Sequence, residues 1–261
     1  YILEDPFGTS MAGSGLMATP GDLLKTGCML LQQDQDSYVA RATKAKTPTQ
    51  LDGTERWYGY QFWIPMKGTF AMLGMGGQIM LAAPQRDFVV VTTADTQGIS
   101  GAEQVILSAI QDKLLQGDIT KNTDQNNSLP ILKSTYDGKA DKVTGRKYPL
   151  LLNPSGFTWC KVMIDEEEKK GILMYELKGE VCELPFGLGH LEEAQFPIYK
   201  ENCASSAVWM DQHTLYIQCW LIGESVGSIR FRLSFIKDEL TLHMTKTEET
   251  KYNEYTGFLN S

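Results

Sequence analysis

Serines and lysines are the first place to look for chemistry in this sequence. A serine with a lysine three residues on supplies a nucleophile and its base when a helix puts both on one face. The sequence offers one such pair, Ser234-Phe-Ile-Lys237. It lies in an alternating apolar run, and residues three apart on a strand point to opposite faces, so the lysine does not reach the serine. No Tyr-x-Asn or Ser-x-Asn triplet occurs. Lys25-Thr26-Gly27 falls inside a helical pattern with Lys25 on its solvated side, which makes it a chance match. Met75-Gly76-Gly77, entering a strand at Gln78, is the position with chemical promise. Adjacent glycines let a ligand approach the backbone closely, and the Gln78 N–H can donate to an oxyanion. A glycine bulge at a strand start is the alternative.

The remaining constellations are weaker. His190, His213 and His243 are far apart, and Asp211-x-His213 sits in a hairpin turn, so no metal site is expected. Asp165–Glu168 followed by two lysines reads as a solvated hairpin tip, and Pro185–Gly189 as a bulge. Arg56, Trp57, Tyr58 and Tyr60 read mostly as core, with one or two on a cleft wall. The five cysteines form no Cys-x-x-Cys pair, which speaks against a zinc site or redox dithiol. Small buried thiols in a reducing compartment are favoured, which places the cytoplasm ahead of export. Disulfides in an exported protein are the alternative.

Two capped helices frame the strands that would position Met75–Gln78. Thr19-Pro20-Gly21-Asp22 puts a hydroxyl before a proline and a carboxylate three residues after the cap, opening a helix that ends by Gln32. Ser100-Gly-Ala-Glu103 reads as a capping box. Between them Tyr58–Ile64, Gln78–Ala83 and Phe88–Thr93 read as antiparallel strands, the last apolar on both faces. Residues 117–145 read as a linker, its first part polar and aperiodic. Beyond it the period becomes two: Leu215 and Ile217, then Phe231, Leu233 and Phe235, fall on one face, while Arg230 and Arg232 fall on the other. About eight short strands predict a small barrel or sandwich. Three regions follow: 1–116, the linker 117–145, and an antiparallel β domain over 146–261.

Three spaced elements resemble the C-terminal strands and helix of the serine β-lactamase and penicillin-binding protein superfamily: Ser14–Gly27, Trp57–Trp63 and Gly74–Val91. The resemblance covers roughly residues 10–115, and the β-rich tail resembles the accessory domain of some bacterial members. It implies an α+β fold: a partial β-lactamase-like α/β sheet with flanking helices, followed by the β domain. It also implies a serine hydrolase acting on amides or esters through an acyl-enzyme. Met75 stands where the family places Lys or His, and Met75, Gly76, Gly77 and Gln78 become the substrate-binding edge of the cleft. No catalytic residue is assigned within this chain, which alone is expected to be inactive. Its start at Tyr1 reads as a cut or processed end, with the rest of the hydrolase domain missing. Two further readings are a non-catalytic relative that binds peptides or assembles through its sheet, and a β domain that holds a small ligand of its own.

Composition narrows the partners. With 32 acidic residues against 24 basic ones and a net charge of -8, no nucleic-acid surface is expected. No apolar run approaches the ~20 residues of a membrane span. No cofactor is implied. The expected partners are a small-molecule or peptide substrate, the missing N-terminal part, and a second copy joined through an edge strand.

Overall fold

The computed structural model describes residues 2–11, 13–34, 36–51, 54–94, 96, 99–115, 131–134, 136, 143–223, 227–246, 255 and 257–261. They gather into two compact units, Tyr1–Asn122 and Thr123–Ser261. Most of the linker expected over 117–145 lies outside the described residues. Its described end is tied to the second unit: Val143 is buried in that core, and the Gly145 N–H donates to Val162 O at 2.8 Å.

The first unit opens with α1 (Pro20–Leu31) and the short α2 (Tyr38–Ala42). The Thr19 hydroxyl accepts from the Asp22 N–H at 3.1 Å, so the cap read from the sequence is made. Six antiparallel strands follow in sequence order: β1 (Thr47–Leu51), β2 (Thr54–Tyr58), β3 (Trp63–Ile64), β4 (Phe70–Gly74), β5 (Gln78–Ala83) and β6 (Phe88–Thr92). The last helix is α3 (Ala102–Ala109), which runs on as a π-helical turn over Ile110–Leu115. Alternation sorts the strand side chains onto two faces. Phe70, Met80, Ala82, Val89 and Val91 pack with Leu30, Leu31 and Ala42, while Ala71, Ile79, Leu81 and Val90 pack with Leu107 and Ile110.

Two expectations about elements are corrected here. Tyr58–Ile64 is not one strand, because the chain turns at Gly59–Gln61, where Gln61 has φ 63°. The turn closes on α2 through the Tyr60 N–H to Ala42 O at 2.9 Å. The Ser100 capping box does not form. Gly101 occupies the cap with φ 75° and no side-chain bond, and Glu103 turns to Arg56 at 2.7 Å. A buried guanidinium offers that carboxylate a stronger, charge-assisted bond than a local main-chain N–H.

The second unit is a single curled sheet. Its strands are β7 (Lys147–Pro149), β8 (Phe157–Asp165), β9 (Lys170–Leu177), β10 (Glu180–Leu188), β11 (Glu192–Gln195), β12 (Asn202–Trp209), β13 (Thr214–Ile222), β14 (Gly227–Ile236), β15 (Glu239–Lys246) and β16 (Gly257–Asn260). Neighbours pair antiparallel except for a short parallel contact of β10 with β12, and β11 branches from β12. A single hydrogen bond, from the Leu151 N–H to Asn260 O at 2.8 Å, links the segment after β7 to β16. Phe231, Leu233, Phe235, Leu215 and Ile217 are buried inside. The centre is aromatic: Tyr175 and Tyr255 share a hydroxyl hydrogen bond of 2.9 Å, Phe157 stacks on Tyr175, and Phe196 and Phe231 meet Tyr255 edge-on. Paired hydroxyls let two tyrosines lie at the centre without an unsatisfied polar group.

Among the described residues, 47% are in strands and 15% in helices. That overturns the α+β class and the β-lactamase-like α/β sheet expected from the resemblance. The chain is mostly β, with its larger sheet curled into a half-barrel. The period-two runs beyond residue 146 outweigh the few helical turns, and α2 is only five residues long.

Candidate functional site

Met75, Gly76 and Gly77 form the three-residue loop of the β4–β5 hairpin, closed by the pair Gly74↔Gln78. Both central glycines have positive φ, 75° for Gly76 and 86° for Gly77. Only glycine takes these angles without strain, so the sequence sets the turn locally. Tertiary packing adds a second constraint at Gly77. A Cβ there would lie 2.7 Å from Ile106 Cδ1 and 3.0 Å from Ala94 Cβ.

The hairpin is held by its neighbours' polar groups. The Thr96 N–H donates to Gly76 O at 3.2 Å, the Thr92 hydroxyl to Gly77 O at 2.9 Å, and the Gln78 side-chain amide to Ala94 O at 2.6 Å. Gly76 and Gly77 thus give their carbonyls to Thr96 and Thr92, and the Gln78 side chain bonds Ala94. Met75 is 65% exposed at the tip. All four residues named from the sequence come together in one turn. Among the described residues, no Lys, His, Asp or Glu makes a hydrogen bond to it. The arrangement can present main chain to a ligand.

The other candidates are accounted for locally. Ser234 Oγ lies 3.4 Å from Thr214 Oγ1, and Lys237 sits in the turn after β14 with φ 55°. Lys25 projects from α1 and pairs with Asp22 at 3.5 Å. His190 bonds Glu192 at 2.8 Å, the His213 N–H caps Asp211, and His243 stacks on Phe258 at 4.0 Å. No cluster of three His, Cys, Asp or Glu able to hold a metal occurs among the described residues. All five cysteines are outside disulfides, four of them buried. Burial pushes the Cys160 thiol up to about 12, which leaves it without thiolate at neutral pH.

Of the aromatic stretch read as core, Arg56 is only 3% exposed and Tyr60 lies outside. Trp57 lines a groove of about 850 Å³. That groove went unread in the sequence, since it is assembled from α1, α2 and the β3–β4 and β5–β6 turns.

No family model matches this sequence, and no curated protein does. Among solved structures, a fatty-acid-binding protein isolated from Manduca sexta is similar at 12% identity, covering 46% of this chain and 96% of that one with a TM-score of 0.32. A likeness of that size does not establish a shared fold. No helix among the described residues is long and apolar enough to cross a membrane.

Proposed function

We propose that this chain is the portion of a β-lactamase-related serine hydrolase that lacks the nucleophile, forming one wall of the substrate cleft and carrying a β accessory unit. The observation that carries the reading is the Met75-Gly76-Gly77 turn at the head of β5, with two positive-φ glycines followed directly by Gln78. In the complete protein a serine from outside these residues attacks an amide or ester carbonyl. The Gln78 N–H donates to the oxyanion, the amine or alcohol leaves, and water then hydrolyses the acyl-serine. The rest of the hydrolase part adds its strands at β6, whose outer side pairs with no described strand. Without them that edge is open to a second copy.

Met75 brings no charge to the site, which suits a neutral ester or peptide better than a substrate held by its carboxylate. The same residue supports a second reading, a non-catalytic relative that binds peptides. A ligand site inside the β unit finds no support in its filled aromatic centre.

The test is intact-mass analysis after incubation with a fluorescent penicillin and with an activated ester. The 261-residue chain stays unmodified, while the protein from the complete reading frame gains one adduct on a serine outside it. An adduct on any serine of this chain, Ser234 first, overturns the reading. No adduct in the complete protein favours the peptide-binding alternative.

A further inference from the structure

We infer that the groove in the first unit binds a small amphiphilic anion, a carboxylate carried on an aliphatic tail. Its volume, about 850 Å³, falls in the range of ligand sites. Its walls are mostly apolar, with Leu30, Leu31, Val39, Trp57, Ile64 and Phe70 among them. The polar groups decide the ligand's charge. Three of the lining side chains bond their own main chain: Thr43 to Val39 O at 2.9 Å, Thr69 to Met66 O at 2.8 Å and Gln33 to Met29 O at 3.2 Å. What remains is Lys44 after α2, Lys67 in the β3–β4 turn, and the Gln85 amide.

Among the described residues no Asp or Glu lines the groove, although acidic residues outnumber basic ones 32 to 24 over the chain. Neither lysine has an ion pair among the described residues. Two unpaired ammonium groups beside an apolar trough complement a ligand with one anionic end and one greasy end. Pro65 and Pro84 stiffen the walls, so little ordering is needed on binding.

The site is separate from the glycine hairpin. It opens at the Phe70 and Pro84 ends of β4 and β5, whereas Met75–Gln78 caps their other ends, about 13 Å away at the rise of a strand. The inference therefore stands whether or not the hairpin belongs to a hydrolase.

Decanoate, decanol and decyltrimethylammonium, each below its micelle concentration, make the test, read by calorimetry and by backbone amide shifts. Decanoate is expected to bind one to one with a Kd on the order of 10⁻⁵ M, shifting Lys44, Lys67 and Gly68. Decanol binds at least about tenfold more weakly, and the ammonium does not bind. Lys44→Gln and Lys67→Gln each weaken decanoate about fivefold. Ala40→Trp, which fills the groove and keeps both lysines, abolishes binding with its unfolding midpoint as the check on folding. Equal affinity for decanol, unchanged affinity in the double lysine variant, shifts confined to residues 146–261, or no binding at all would each overturn the proposal.

Discussion

Arg56 is held almost wholly out of solvent in β2, where its two terminal nitrogens reach Glu103 at 2.7 Å and Gln104 at 2.5 Å. One guanidinium therefore ties the sheet to the first turn of α3. Its fork spans both partners, which an ammonium cannot do. Replacing Arg56 by Met leaves Glu103 without its cation, but that carboxylate is 35% exposed and can rehydrate. The cost expected is about 2 kcal/mol, less than for a fully buried pair broken on one side. Arg56→Lys recovers only part of it. Urea unfolding followed through the tryptophans checks both, and a midpoint unmoved in Arg56→Met would remove the pair from the account of α3.

The β4–β5 hairpin shows how an element can be fixed twice. Its turn needs positive φ at Gly76 and Gly77, and its packing leaves no room for a side chain at Gly77. Gly77→Ala is expected to cost more than its backbone angle alone would. Both positions adopt a strained angle, about 1 kcal/mol each, and at Gly77 the methyl is also driven against Ile106 and Ala94. A further ~1–3 kcal/mol of overpacking follows for Gly77. A cost for Gly77→Ala of no more than about 1 kcal/mol in urea titrations would mean that Ile106 moves aside freely.

At the scale of the molecule, the buried acids of the β unit tie its stability to alkaline pH. Burial raises the Cys160 thiol from 9.0 to about 12. Tyr175 is raised well above its usual 10.0, by burial first and then by Tyr255. For a group whose folded pKa lies above its unfolded one, the stabilisation is complete below the unfolded value. It is lost as pH rises, because the unfolded chain ionises first. Stability is therefore flat to about pH 9 and then falls towards pH 12, with each such group removing about 1.4 kcal/mol per pH unit in its window. Urea midpoints from pH 8 to 11 measure this, and Cys160→Ala flattens the early part of the decline. A midpoint that stays level to pH 11 would show these groups already open to water.

Local chemistry was legible in the residues themselves. The Thr19 cap, the strand over Gln78–Ala83 and the inward set Phe231, Leu233 and Phe235 depend on bonds and alternation within a few residues. Such signals are written in spacing, since φ, side-chain reach and strand period are short-range properties. Wherever a distant group competed, the sequence reading gave way. Glu103 left its capping box for Arg56, and Tyr58–Ile64 broke where Gly59–Gln61 met the end of α2. The balance of strand over helix, which displaced the α+β expectation, accumulates over ten strands of one curled sheet rather than in any motif. The groove of Lys44 and Lys67 joins residues from 30 to 85, and the Tyr175–Tyr255 bond closes across 80 positions. No window of sequence contains both partners of such contacts, so only the folded chain could decide them.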